Sequence, residues 1–268
     1  MDWIIGLLSA AVVAGAAFYK KSLTLSGFAA AVLMGTVYCG AGNLFWFGTL
    51  LLFFITSTLL SKFKKERKAE LEKSYAKTGN RDAGQVWANG GLGMLLCLGH
   101  AIWPHVAWQL AFVGVMATVT ADTWATEFGS LSRKPPRSVL TGKVLAPGTS
   151  GGVSVFGTAA ALAGGILIGI GAWGFGYAVG MPELPIWLWA LIGGLSGSAG
   201  AFADSYLGAT VQLMRFCPVC KREVEVDSHC GQTTVYLRGW HWMSNDRVNS
   251  ISSIFGGLVA LAGIFFML

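Results

Sequence analysis

The sequence predicts an all-α, polytopic integral membrane bundle of about eight transmembrane helices, and three observations carry that prediction. Hydrophobic residues make up 54% of the 268 and charged residues only 12%, too little polar surface for a soluble domain of this length. Apolar stretches of spanning length, about 20 residues each, recur along the whole chain. All 19 Lys and Arg fall in alternate connections between those stretches, the pattern that cytoplasmic loops follow. Residues 1–268 therefore read as a single transmembrane domain.

The first stretch, residues 3–19, follows Met1-Asp2-Trp3 with no basic residue ahead of it, and reads as a retained helix rather than a cleaved signal. Lys20 and Lys21 close it. Residues 24–40 and 44–60 form the second and third spans, and the basic run Lys62 to Arg81 follows. That run mixes Glu and Lys at helical spacing, as an amphipathic helix on the membrane surface does, and its charge would also draw an anionic ligand. Asn89-Gly90-Gly91 sits at the mouth of the fourth span, residues 86–103; its glycines suit close helix packing as well as a ligand. The fifth span, 105–128, leads to Arg133, Lys134, Arg137 and Lys143. The sixth and seventh, 153–179 and 185–212, are followed by the bases from Arg215 to Arg247, and the last covers 250–267. Connections near residues 40–44, 101–104 and 180–184 hold no Lys or Arg, so both termini are expected on the non-cytoplasmic side. No organellar presequence is visible, so the expected location is a prokaryotic plasma membrane. The net charge of +6 fits topology and anionic headgroups, and no basic and aromatic array suggests a nucleic-acid partner.

Acids inside such helices are costly unless paired or wet, which makes Asp122 and Asp204 functional candidates. Each lies eleven residues before the first base after its helix, Arg133 and Arg215, so both should sit at one depth in the cytoplasmic half. Ser196, Gly200, Asp204, Gly208 and Gln212 follow at i+4 and form one small-and-polar stripe. Glu127 is turned about 140° from Asp122 at 3.6 residues per turn. It need not reach the same ion, and is free to orient a neighbour, pair with a loop base or accept a proton. Between the two acids lies Pro147-Gly148-Thr149-Ser150-Gly151-Gly152. Its glycines, hydroxyls and following helix N-terminus would suit a phosphate, although a capped Pro-Gly turn is the simpler account of such a string. Two carboxylates beside a basic glycine-rich loop are what a Mg2+-bound nucleotide or diphosphate requires.

The loop of residues 212–248 is expected on the cytoplasmic side with a zinc-binding insert. Cys217-Pro218-Val219-Cys220 followed by His229-Cys230 supplies four soft ligands in a compartment where disulfides do not last. Adjacent His229 and Cys230 strain to reach one ion, and His241 is an alternative ligand. Cys39 and Cys97 read as packing residues. The segment Trp240 to Asn249 enters the last span; if helical, it puts Asn245 and Asn249 on one face with Asp246 beside them.

The strings Ala121-Asp122-Thr123-Trp124-Ala125-Thr126-Glu127-Phe128-Gly129, Ala146 to Ser154, Ala203-Asp204-Ser205-Tyr206-Leu207-Gly208-Ala209 and Asn245-Asp246-Arg247-Val248-Asn249 together resemble the polytopic membrane family that includes plant phytyl-phosphate kinase. The resemblance covers most of the chain from about residue 86. It implies CTP-dependent phosphoryl transfer onto an isoprenyl monophosphate at a site facing the cytoplasm. On that reading Asp122 and Asp204 hold Mg2+, and Glu127, Lys143 and Asp246 complete the catalytic set. Asn89, Arg137, Gly148, Thr149, Ser150, Gly151, Ser205, Asn245 and Asn249 contact nucleotide or phosphate. A transporter with an acidic cation or proton site, and a CTP:lipid-phosphate cytidylyltransferase, are the alternatives.

Overall fold

The computed structural model describes residues 2–63, 79–181 and 184–265. Eight helices appear among them: α1 (Asp2–Tyr19), α2 (Leu25–Gly40), α3 (Leu44–Lys62), α4 (Ala83–Ile102), α5 (Val106–Gly129), α6 (Val155–Ala178), α7 (Ile186–Thr210) and α8 (Asn245–Phe265). By length and composition α3, α5, α6 and α7 can each cross a membrane, while α1 and α2 are shorter apolar helices. Helices α4 and α8 are long enough but open on polar turns, with Gln85 and Asn89 in one and Asn245, Asp246 and Asn249 in the other. The surface helix expected after α3 falls largely on 64–78, outside the described residues.

Capping chemistry sets several helix starts within a few residues of the apolar stretches. Thr24 accepts from Gly27 N, Asn43 from Phe45 N and Ser154 from Gly157 N, each satisfying a donor that the first turn leaves unpaired. Asp82 and Gln85 form a reciprocal capping box that begins α4 earlier than its apolar run. The last helix also begins earlier than residue 250, because Ser244 O already accepts from Arg247 N and Val248 N. Asn245 and Asp246 are thus its first turn.

Helix α5 is the axis of the bundle. Every residue from Leu110 to Ala121 is buried, as in a helix surrounded on all sides, and it packs against α3, α4, α6, α7 and α8. The approach is close because small residues face one another. A Cβ on Gly197 would stand 2.9 Å from Ala117 O, and one on Gly200 or Gly256 would run into Thr118. Gly165 and Gly193 likewise bring the backbones of α6 and α7 together, the small-residue packing by which membrane helices associate. Thr118 Oγ1 reaches both Gly114 O (2.9 Å) and Ser196 O (3.2 Å), tying α5 to α7. At the other end, Tyr38, Phe45, Trp46 and Phe112 form a buried aromatic cluster with ring centroids 4.6 to 5.8 Å apart.

The all-α expectation holds for the helical body but not for its connections. Strands β1 (Arg137–Ser138) and β2 (Gly152–Val153) pair across the α5–α6 loop. The α7–α8 loop carries β3 (Met214–Phe216), β4 (Glu223–Val224), β5 (Ser228–His229), β6 (Gln232–Thr233) and β7 (Val235–Arg238). These form a three-stranded antiparallel ribbon in the order β4-β3-β7 and a small hairpin β5-β6. The short runs carry no long alternating pattern, which is why the sequence did not reveal them.

Candidate functional site

The four connections that hold the basic residues meet at one end of the bundle. Arg81 N donates to Ser22 O and Arg81 O accepts from Thr24 N, both at 3.0 Å, stitching the α3–α4 loop to the α1–α2 turn. Lys62 Nζ donates to Lys20 O at 2.7 Å. Below them opens a cavity of about 570 Å³ lined from all four connections and from α4, α5, α7 and α8. Cavities of this size accommodate ordinary ligands.

Both intramembrane acids line it. Asp204 Oδ2 accepts from Ser252 Oγ at 3.0 Å, and the Asn249 amide, turned to satisfy its neighbours, donates to the same oxygen at 3.0 Å and to Asn245 O at 3.2 Å. The face shared by Asn245 and Asn249 on α8 therefore buttresses the acid on α7. Among the described residues no side-chain donor reaches Asp204 Oδ1 or the carboxylate of Asp122. Two carboxylates from separate helices with uncommitted oxygens are a ligand set that suits Mg2+, which usually keeps its other positions for phosphate and water.

Glu127 also lines the cavity but is engaged elsewhere: its Oε1 accepts from Ser61 Oγ at 2.6 Å. Beside it Arg81 donates to Thr58 Oγ1 at 2.8 Å and lies over the Phe54 ring at 5.9 Å. Burial pushes the Arg81 guanidinium below its usual range, and the charge of Glu127 opposes that shift. The structure thus sets Glu127 against Ser61 and within the electrostatic reach of the loop base Arg81.

The glycine-rich segment forms a cavity wall packed against the C-terminal end of α7. Gly148 and Gly151 have φ of +83° and +82°, a region that L side chains rarely adopt. A Cβ on Gly151 would also run into Ala209 of α7. Thr149 N donates to Ala146 O at 3.2 Å and Gly152 N to Thr149 O at 3.1 Å. Gly148, Thr149, Ser150 and Gly151 line the cavity together with Asn89, Ser205, Asn245, Asp246 and Asn249. Ser150 Oγ donates to Gln212 Oε1 at 3.1 Å, and Gln212 Nε2 to Glu225 Oε1 at 2.8 Å.

Two residues expected here lie outside the lining. Arg137 turns its guanidinium onto Gly142 O at 2.9 Å within the α5–α6 loop, and Lys143 is exposed in the same turn. The pairing of β1 with β2 and the bond from Ser138 N to Lys143 O fold that turn back on itself. Their places in the wall are taken by Arg133 and Lys134, joined by Lys21, Lys62 and Arg81. Gln85 and Glu225 line the cavity as well. Sequence reasoning overlooked Ser252, although its i+3 spacing from Asn249 is a usable signal; no sequence signal points to Glu225, which arrives through the ribbon.

Outside the cavity, the ligand atoms of Cys217, Cys220, His229 and Cys230 all lie within 4.8 Å of one another, so this group can hold a metal ion. His241 is not part of it; its ring stacks on Tyr236 at 4.9 Å. The backbone N–H of Cys220, ahead of the contact from the His229 ring, pulls the Cys217 thiol down to about 6.

Comparison with known proteins matches residues 8–257 to the model of the family described as integral membrane protein DUF92. Protein PGR of Arabidopsis thaliana is 31% identical, with 98% of this chain and 96% of the relative covered. Uncharacterized membrane protein MJ0933 of Methanocaldococcus jannaschii is 30% identical over 90% of this chain and 87% of its own length. Protein VTE6, chloroplastic, of Arabidopsis thaliana is 27% identical, covering 93% of this chain and 67% of that protein. No solved structure matches. The extent of these matches, from the first helix to the last, places the chain in the integral membrane DUF92 family.

Proposed function

We propose that the protein is a CTP-dependent kinase that converts an isoprenyl monophosphate into the diphosphate at the basic end of the bundle. The observation that carries the reading is how two spaces adjoin. The polar cavity shares Arg81, Gln85 and Asn89 with a narrow apolar groove lined by Ala10, Ala14, Met34 and Phe53 of α1, α2 and α3. A molecule with a charged head in the polar cavity and the first carbons of a hydrocarbon tail in the groove, which holds about 60 Å³, matches that junction. The resemblance to the family that includes plant phytyl-phosphate kinase, and the 27% identity to Protein VTE6, support an isoprenyl acceptor.

On this reading Asp122 and Asp204 would hold Mg2+, which when bound neutralises phosphate charge and orients the transferring group. Ser252 and Asn249 fix the Asp204 carboxylate so that it needs no rearrangement. The segment Gly148–Gly151 lets backbone N–H groups approach the nucleotide phosphates, with the Thr149 hydroxyl as a further donor, while the Ser150 hydroxyl stays on Gln212. Arg133 and Lys134, rather than Arg137 and Lys143, supply positive charge at that wall, and Arg81, braced by Thr58 and Glu127, meets the acceptor's phosphate. An acceptor oxygen attacks the γ-phosphorus of CTP, the bond to the β-γ bridging oxygen breaks, and CDP leaves. The acceptor is already an anion, so positioning and charge neutralisation lower the barrier and no strong base is required. The one-sided distribution of Lys and Arg supports a cytoplasmic location for this end.

The test incubates purified protein with Mg2+, CTP labelled at the γ-phosphate and a panel of isoprenyl monophosphates. Labelled diphosphate with release of CDP is expected. Release of pyrophosphate with CMP joined to the lipid would replace the kinase by a cytidylyltransferase, and absence of any transfer across the panel overturns the enzymatic reading.

A further inference from the structure

The α7–α8 ribbon is too small to hold itself together by burial. Between residues 214 and 238 its fully buried apolar side chains are Met214, Cys217 and Val224, and domains this small generally need a metal or disulfides. Its three cysteines are free thiols. They stand instead around one point. His229 Nδ1 lies 3.4 Å from Cys220 Sγ and 3.2 Å from Cys230 Sγ. Tetrahedral Zn2+ with ordinary Zn–S and Zn–N bonds gives ligand-to-ligand edges of about 3.5–3.8 Å; these two distances are close to such edges, and all four ligand atoms lie within 4.8 Å of one another. The backbone is shaped accordingly. Cys217 N donates to Arg222 O and Lys221 N to Cys217 O at 3.0 and 2.9 Å, closing a tight turn around the Cys217–Cys220 pair. Cys230 takes φ of +52° at the tip of the β5-β6 hairpin, which turns adjacent His229 and Cys230 toward the same centre.

We propose that Cys217, Cys220, His229 and Cys230 bind one Zn2+, and that this site tethers the glycine-rich wall of the cavity through Glu225. Three thiolates and one imidazole with no open position are the donor set of a structural zinc rather than a catalytic one. The ribbon it closes carries Glu225 directly after β4. Glu225 accepts from Gln212, which accepts from Ser150 (2.8 and 3.1 Å). From the same ribbon Arg238, paired with Glu223 at 3.2 Å, donates to Gly208 O at 2.7 Å on the α7 turn that Ser150 packs against. The metal thus fixes two struts that hold Ser150 and Gly151 against the end of α7. The inference is independent of the reaction the cavity performs.

The experiment uses the full-length protein in detergent, supplied with Zn2+ and then gel-filtered. Elemental analysis should find about one zinc per chain in the parent and loss of most of it in Cys217→Ser/Cys220→Ser. Hydrogen exchange of the segment around Ser150–Gly152 should quicken about three- to tenfold, the effect of one lost hydrogen bond, both in that variant and in Glu225→Ala, which should keep its zinc. A zinc-free parent, or equal zinc in parent and double variant, overturns the metal site. If Glu225→Ala keeps its zinc but exchange around Ser150 stays at the parent rate, the tether is overturned.

Discussion

Asp204 is the residue whose surroundings make the sharpest demand. Its Oδ2 holds two donors from α8, so an amide in its place can keep the same bonds while removing the charge a metal needs. Asp204→Asn should therefore fold as the parent does and lose Mg2+-dependent turnover by at least about a hundredfold, the scale on which single electrostatic contacts act; near-normal turnover would take Asp204 out of the metal role. Ser252→Ala keeps the carboxylate and removes one of its supports. It should weaken Mg2+ dependence about tenfold, read as a raised Mg2+ concentration at half-maximal rate. The basic residues give a paired comparison. Lys143 is exposed in the folded-back turn while Arg133 lines the cavity, so Arg133→Ala should raise KM for the nucleotide and Lys143→Ala should leave it unchanged. The acids were legible in the sequence because an ionisable residue in an apolar helix stands out. The choice among bases was not, since four within eleven positions share one loop and only the β1-β2 pairing decides which pair faces inward.

At the scale of elements, the i+4 stripe on α7 shows how far helical spacing reaches. It places Ser196, Gly200, Asp204, Gly208 and Gln212 on one face, and the structure divides that face among several neighbours. Ser196 and Gly200 meet Thr118 of α5, Asp204 meets α8, and Gly208 and Gln212 meet Ser150. Periodicity identifies the face, whereas the identity of each neighbour depends on contacts distant in sequence. Most helix starts were legible for a local reason, a capping side chain beside an apolar run, and the early starts of α4 and α8 follow from polar turns that a search for apolar stretches passes over. The glycine-rich segment is an element of the same kind. Gly151 combines a positive φ with contact against Ala209, so Gly151→Ala must move either the loop or α7. It should cost about 1–3 kcal/mol in thermal unfolding of the detergent-solubilised protein and raise KM for the nucleotide. Thr149→Ala, which adds no bulk there, should leave the unfolding midpoint close to the parent's.

On the scale of the whole molecule, the distribution of charge and the meeting of loops are one fact seen twice. Sorting the 19 Lys and Arg into alternate connections requires that those connections lie on one side, and the structure gathers the described ones around a single cavity. The opposite turns, at Ala41–Asn43, Trp103–His105 and Val179–Met181, contain no Lys or Arg. An asymmetry so complete has a direct consequence for proteolysis, because trypsin cuts only after Lys and Arg. Arg133, Lys134 and Arg137 in the α5–α6 loop and Lys221 and Arg222 in the ribbon are exposed. In sealed inside-out vesicles the chain should be cut readily after Arg133, Arg137, Lys221 and Arg222, Lys134 being protected by the Pro135 that follows it, yielding fragments that part α1–α5 from α6–α7 and both from α8. Right-side-out vesicles should leave the chain at full length under the same treatment, until detergent admits the enzyme. Cleavage from the outer face would mean that at least one basic connection has crossed the membrane, and with it the cytoplasmic placement of the cavity would fall. The exposure of these loops predicts unequal protection in the two preparations, so the two vesicle orientations assign the side on which the cavity lined by Asp122, Asp204 and the glycine-rich wall opens.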